Sequence, residues 1–365
     1  IIVTDTNDIV SKIPIVGQEY LTLKIRTPTL TLEKDIIDFT ENPFAVHKIS
    51  LRRELTTGGQ TYELKFVSQE AIKNSQRKIS KSYSERKGNI GDIVFDLLSE
   101  DKNGVQTSKE VFVEPTTGNR IYVVPNVNPF SAITTLSNEA VSKSQDGNNP
   151  SPHYFFFENK DGIHFRSLQS LYEQDTKELF HVGDMGFDEE SLEGDPESGK
   201  LIQNFRRILS YEIRTRKDLF LNSASGMLGG RLITHDIYKK NYDVKEYNYL
   251  DDDDFGQHKR LSDEGDAFRV YNTDRFEDTD FSKAKTHLVP ISKTTKDFDA
   301  QYTKSDKLDG YSDPSRLQET FLQRQSRLME IGNGISIQMS VNGRTNLTVG
   351  DIIFITVPSI RGSDT

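Results

Sequence analysis

Apolar and polar residues alternate in three early segments: Tyr20-Leu-Thr-Leu-Lys-Ile-Arg26, His47-Lys-Ile-Ser-Leu-Arg-Arg-Glu-Leu55 and Tyr62-Glu-Leu-Lys-Phe-Val67. A period of two marks a strand with one face turned to a core. The last two segments flank Thr56-Thr-Gly-Gly-Gln60, which reads as a hairpin loop. Residues 1–87 are therefore expected to form an antiparallel sheet or small barrel. Near Gly88 the period changes. Ile90, Ile93, Val94, Leu97 and Leu98 fall on one face of a predicted helix over Asn89–Leu98. A second helix is predicted from Pro129 to Val141, with Asn128 as N-cap, Pro129 at its first position and Phe130, Ile133, Leu136 and Ala140 on one face.

After Asp146-Gly-Asn-Asn-Pro150, Tyr154–Glu158 and Ile163–Ser167 read as two strands joined by the turn Asn159-Lys-Asp-Gly162. Ser167–Tyr172 follows as a short helix, so residues 88–182 form an expected α/β module. Residues 183–200 are acidic and Gly-rich and read as a loop. Strands are expected to resume at Phe205–Ile213, Arg231–Tyr238 and Tyr242–Tyr249 within 183–250. The polar stretch 251–312 reads as an extended arm or insertion, or as a segment poorly ordered in isolation. In 313–365, a helix over Pro314–Ile331 buries Leu317, Phe321, Leu328 and Ile331. Strands Ile335–Val341 and Asp351–Val357 then close the chain, linked by the turn pair Asn342-Gly343.

Composition narrows the functional classes. The 365 residues are only 34% hydrophobic, but 21 Phe and 14 Tyr supply large buriable surfaces. Cores are expected to be thin, or apolar surface to be covered by partners. With 46 Lys and Arg against 56 Asp and Glu, the net charge is −10, which argues against general nucleic-acid binding. Apolar runs reach only five or six residues, too short for a bilayer span, and the start has no signal-peptide pattern. The first residue is Ile, so a missing or processed N-terminus is expected. The absence of Cys removes disulfides, thiolate nucleophiles and Cys-ligated metals, and fits assembly in a reducing cytoplasm.

Candidate chemistry is sparse. No nucleotide-binding glycine motif with its phosphate lysine is present, so Gly226-Met-Leu-Gly-Gly230 reads as a loop at a bend. The seven His have no metal-ligand spacing, although His153 and His164 are placed to face each other across the 154–167 hairpin. Asp251–Asp254 with His258 reads as a solvated charge run before it reads as a cation site. Glu158, after three Phe, is the one acid with an apolar surround, and a rim carboxylate is its better reading. Aromatic Tyr154-Phe-Phe-Phe157 reads as core and not as a base-stacking platform, given the acidic chain. No catalytic residue, cofactor or metal is expected.

Element order in 129–172 adds a resemblance. Asn128-Pro-Phe-Ser-Ala-Ile133 opens a helix, and Phe156-Phe-Glu-Asn-Lys-Asp-Gly-Ile-His-Phe-Arg-Ser-Leu168 leads into Leu171. This resembles the central baseplate hub proteins of contractile-tailed bacteriophages. The residues that match are Pro129, Ala132, Ile133, Phe157, Glu158, Gly162, Phe165, Arg166, Ser167 and Leu168. Lys81–Gly88 before the first helix is similar to that family's junction between its first barrel and a helix. Asn333–Val357, with Gly343 at a turn and Leu347-Thr-Val-Gly-Asp351 (Gly350 and Asp351 included), is similar to its closing barrel strands. Residues 183–310 match poorly, and the family continues past the last strand, which implies a cut C-terminus.

The resemblance implies an α+β fold, mainly antiparallel β, with two tail-tube-like β-barrel domains plus a smaller α/β module. It implies a homotrimeric hub in the virion tail baseplate, assembled in the host bacterial cytoplasm. Its partners would be the tail spike protein, the tail tube protein and baseplate wedge proteins. The hub would join the threefold spike to the sixfold tube, initiate tube assembly and pass DNA without binding it, with no membrane insertion and no enzymatic activity. A cell-wall glycosidase or tail-associated lytic enzyme is one alternative, and a receptor-binding module is another. The first would need a desolvated carboxylate pair.

Overall fold

Strand formation at the start follows the alternating pattern, with one interruption. In the computed structural model, described over residues 1–13, 15–27, 35–55, 58–84, 88–99, 104–119, 122–143, 151–183, 204–215, 218–227, 229–236, 241–248, 285–290, 331–332 and 336–357, the chain is mainly antiparallel β with few helices. It begins with β1 (Ile2–Asp5) and a one-turn α1 (Ile9–Lys12). The carboxylate of Asp5 accepts the backbone N–H groups of Asn7, Ile9 and Val10, tying strand to helix. The predicted strand Tyr20–Arg26 is divided. β2 (Tyr20–Leu21) pairs with β5 (Phe44–Glu54), while β3 (Lys24–Ile25) turns away to pair with β4 (Ile37–Asp38). β5 and β6 (Gln60–Val67) form the expected hairpin, and the first sheet runs β1-β6-β5-β2.

The main core lies in the next module. α2 (Gln69–Gln76) leads into β7 (Ile79–Tyr83), and α3 (Ile90–Ser99) follows. β8 (Val111–Val113), β9 (Tyr122–Val127) and α4 (Pro129–Ser137) come next, then β10 (Tyr154–Glu158), β11 (Ile163–Ser167) and α5 (Leu168–Tyr172). Ile90, Ile93, Val94, Leu97 and Leu98 of α3 are fully buried and share one core with Ala132, Ile133 and Leu136 of α4 and with Tyr154, Ile163 and Phe165 of the hairpin. Burying five large aliphatic side chains on one helix face contributes on the order of 10 kcal/mol before conformational entropy is counted. β7, grouped with the first region by sequence, pairs with β9 and gives Ile79 and Tyr83 to this core.

α4 is shorter than its sequence pattern predicts, ending at Ser137. Its N-terminus is also capped differently. Asn128 makes no side-chain cap bond; instead Asn74 Oδ1 accepts from Phe130 N at 2.8 Å, and Asn128 Nδ2 donates to Asn74 O at 2.6 Å. α5 is capped by Ser167, whose Oγ accepts from Ser170 N.

The last sheet gathers distant strands. β12 (Thr176–Val182) and β13 (Arg207–Thr215) run in parallel, and α6 (Leu219–Ser225) precedes a separate sheet. That sheet has β14 (Gly229–Asp236) between β15 (Asn241–Asn248) and β16 (Lys285–Pro290). β17 (Ser336–Val341) and β18 (Ile352–Thr356) then complete the order β17-β13-β12-β18. The expected hairpin between these two closing strands is not formed, because β17 pairs with β13 and β18 with β12. A two-residue turn of the favoured type needs positive φ at both positions, and neither Asn342 nor Gly343 has it. Residues 342–351 cross between the two edges of the sheet instead.

The described strands form no closed barrel: the first and last sheets are open, with β1 and β2 at the edges of one and β17 and β18 at those of the other. The acidic loop after Gly183, the 251–312 arm apart from β16, and the Pro314–Ile331 helix before Ile331 lie outside the described residues. Among the described residues, no helix is long and apolar enough to cross a membrane.

Candidate assembly site

The hairpin begins the site. Its five cross-strand pairs run from Tyr154–Ser167 to Glu158–Ile163. At the turn, Asn159 Oδ1 accepts from Asp161 N and Gly162 N, closing the loop with one side chain. Glu114 receives the far end: its carboxylate accepts from Ser167 N at 2.6 Å and from Ser167 Oγ at 2.8 Å. Arg166 donates to Gln174 Oε1 and Ser170 O, fixing α5, and Leu168 N donates to His153 O.

Segment 342–351, here termed the clasp, closes over this hairpin. Asn159 Nδ2 donates to Val349 O, and Lys160 Nζ donates to Thr345 O at 3.1 Å. Gln174 Nε2 donates to Gly350 O at 3.0 Å, and Lys177 pairs with Asp351 at 2.8 Å. Gly350 has φ +95° and lies so close to the hairpin that an added Cβ would stand 3.1 Å from Phe157 Cζ. Thr345 reaches the first part of the chain, its hydroxyl 3.0 Å from that of Thr27, with both residues buried.

The two distant motif stretches thus meet: Phe157 lies against Gly350, and the hairpin turn beside it, Asn159 and Lys160, bonds Val349 O and Thr345 O. Pro129, Ala132 and Ile133 are buried in α4, and Phe165 and Leu168 are buried on the hairpin side. Gly343 is exposed and an added Cβ there meets nothing within 4 Å.

The other end of the clasp is held by a buried cation. The Arg344 side chain is only 4% exposed and its guanidinium lies between the rings of Phe180 and Phe205, 4.6 and 4.4 Å from their centroids. Arg344 also donates to Phe205 O and pairs with Glu178, which binds Arg206 and Asn346 as well. Burial pulls the guanidinium below its ordinary value; the Glu178 charge opposes this and Arg206 adds to it. Arg344→Ala is expected to cost about 3–4 kcal/mol, and Arg344→Lys about 1–2, since an ammonium lacks the flat face for two rings. Urea unfolding measures both; a Lys variant as stable as the parent would show that stacking contributes nothing.

A second buried cation braces the hairpin from behind. Lys109 pairs with Glu70 of α2 at 2.8 Å and also with Glu158, which accepts from Ser68 Oγ. Burial alone would push Glu70 up, but the hydrogen bonds from Lys109, its own backbone and Thr107, with the Lys109 charge, bring it below the ordinary carboxylate value. Burial would lower Lys109, and the two carboxylates raise it instead. Glu158 is the rim carboxylate expected from its sequence surround. A glycosidase proton donor needs its pKa raised; Glu70 is shifted the other way.

His164 and His153 do not face each other. His164 is the register partner of Phe157 on β10 and of Phe112 on β8, and it stacks between them at 5.0 and 4.7 Å, each with an 11° interplanar angle. His153 lies before β10 begins. Among the described residues, no group of three or more His, Asp or Glu is placed to hold a metal. Asp251–Asp254 and His258 lie outside the described residues. Gly226 follows α6 with φ +83° and ends that helix, while Gly229 and Gly230 already belong to β14, so only the start of the Gly226–Gly230 run is a bend.

Lys109, Glu70 and Arg344 carry no sequence signal, since each reads locally as a solvated charge. The His164 stack has none either, because its three rings come from positions 112, 157 and 164.

Fold and site together define an α+β module whose buried polar groups hold one part of the chain to another. No protein-family model matches the chain. Among curated proteins, it is similar to the probable baseplate hub protein gp334 of Vibrio phage KVP40, with 22% identity over 329 residues, 89% of this chain and 69% of that protein. That name belongs to a structural baseplate part and not to an enzyme.

Proposed function

We propose that this chain is a non-enzymatic structural protein of a phage tail baseplate, serving as its central hub. The likeness to a baseplate hub protein over 89% of the chain carries this reading. The meeting of the two motif stretches at one joint supports it, because their residues then act as structural contacts. In this reading three copies form a ring whose first and last sheets serve as tube-like modules, closed by neighbouring strands. The ring joins a threefold spike to a sixfold tail tube, seeds the tube and contacts wedge proteins after assembly in the host cytoplasm. Its net charge of −10 lets DNA pass without sticking, since like charge opposes binding.

Exposed apolar residues on the last sheet favour association with further copies. Tyr211 opposes Met339, and Ile213 opposes Ile337, so these share one face of the β13–β17 ribbon. Leu209, Tyr211, Ile213 and Ile337 are exposed among the described residues, as is Phe354 on β18. Two paired strands gain little stability alone, and such a face is stabilised by burial against a partner. Light scattering after size exclusion is expected to give three times 41.6 kDa. The double variant Tyr211→Asp, Ile213→Asp is expected to run as a folded monomer. A parent chain that stays monomeric at high concentration, or a double variant that remains trimeric, would overturn this assembly.

A further inference from the structure

Two routes lead from the His164 ring to the clasp. One runs through its edge: His164 Nε2 is 2.9 Å from Asn159 Oδ1, and Asn159 Nδ2 donates to Val349 O. The other runs through its face: the ring supports Phe157, which lies under Gly350. Asn159 Oδ1 also accepts from two turn amides. An amide oxygen is an acceptor, so His164 donates from Nε2 and keeps Nδ1 as the bare lone pair. That Nδ1 is buried and has no hydrogen-bond partner among the described residues.

We propose that His164 is a proton-operated latch for the contact between the hairpin turn and the clasp. Neutral His164 fits its slot on both faces and at its Nε2 edge. Protonation places an N–H at the Nδ1 edge, in the plane of the ring, where no acceptor waits. The flanking Phe faces tolerate a cation, but they offer nothing in that plane. The imidazolium reaches water only by shifting, and a shift withdraws support from Asn159, from Phe157 or from both.

The charged groups around the ring are Arg166 on its own strand, Asp161 in the turn and Glu110 before β8; β10 presents Phe157. Burial and Arg166 disfavour the cation, and these outweigh Asp161 and Glu110, which favour it. The carboxylate of Asp351, in the clasp itself, is engaged by Lys177 and by Thr348 N. Acidification therefore loosens the clasp through one residue, and with it the link between the hairpin and the last sheet. This goes beyond the hub reading and stands whether or not three copies assemble.

Hydrogen exchange of the full chain tests it, with rates corrected for intrinsic exchange, at about pH 7.5 and about pH 5.5, either side of the ordinary imidazole value. Protection of clasp amides 345–351 is expected to fall about tenfold at the lower pH, the equivalent of one pKa unit of coupling. In His164→Gln, which keeps a donor and cannot titrate, the ratio is expected to stay within about twofold. Equal protection at both pH values in the parent, or an equal loss in the variant, would overturn the latch. If the variant does not fold, nitrogen NMR of the parent decides: the His164 titration and the clasp opening must share a midpoint, and separate midpoints refute it.

Discussion

Gly162→Ala is expected to destabilise the protein by about 3–5 kcal/mol, the sum of a strained backbone and an overpacked site. Gly162 has φ +150°, a conformation side chains rarely adopt, and an added Cβ would collide with Glu110 O. It would also lie 3.1 Å from Glu110 C and 3.2 Å from Phe112 Cε2. Glu110 O is not free to move, because it accepts from Ile163 N at 2.9 Å at the start of the β8–β11 ladder. Relief requires β11 to part from β8, and β11 carries the fully buried Ile163 and Phe165. A loss of this size is a large share of a domain's total stability. Gly343→Ala is the matched control, with open space around it and no positive φ, and is expected to stay within about 0.5 kcal/mol. Denaturant midpoints compare the two; similar midpoints would sink the argument from backbone crowding.

Lys109→Met should cost about 3–5 kcal/mol at neutral pH, because it leaves Glu70 as a buried carboxylate without its cation. The Glu70 side chain is 3% exposed and that of Lys109 is 9% exposed, so water replaces little of the lost interaction. The pH dependence gives the prediction its sign. In the parent, Glu70 lies below its ordinary value of 4.5, so its stabilisation is complete above 4.5 and is lost as pH falls through the lower folded value. Without Lys109, burial dominates and the folded value rises above the ordinary one. The variant's penalty is then largest at neutral pH and shrinks as acid protonates Glu70. The two stability curves should converge toward about pH 4, and Glu70→Gln in the Lys109→Met background should restore much of the loss at neutral pH. A gap that stays constant with pH would mean that Lys109 contributes packing and not charge.

Acid acts on the hairpin at two places with one sign. His164, held below its ordinary imidazole value, stabilises the fold fully above that value and loses its contribution as pH falls through the folded one. Glu70 follows at lower pH. Hairpin docking should therefore weaken in two stages on acidification, the clasp first and the Lys109 brace second.

Much of the fold was legible because local pattern and tertiary demand agreed. The α3 stripe at Ile90, Ile93, Val94, Leu97 and Leu98 buries as its spacing requires, and the 154–167 hairpin closes at Asn159–Gly162. The pattern failed where a partner came from far away. Tyr20–Arg26 alternates throughout, yet it is divided between two ladders. Asn128 has the right residue type for a cap, but Asn74 takes the role: its side-chain Oδ1 accepts from Phe130 N while its backbone O accepts from Asn128 Nδ2. Asn342-Gly343 resembles a tight turn, yet the following residues are engaged by the hairpin, and the two closing strands lie at opposite edges of their sheet.

The sequence by itself determined the elements whose information is local: strand and helix periods and the 154–167 hairpin turn, beside the residues that carry its resemblance to baseplate hubs. Only the tertiary structure decided that Phe157 and Gly350 touch, that Lys109 is shared by two carboxylates, and that Arg344 and His164 each lie between two aromatic rings. The reason is physical. Periodicity reports which face of an element is dry, but a buried charge is tolerable only beside its counter-charge, and that partner is chosen by how distant strands pack.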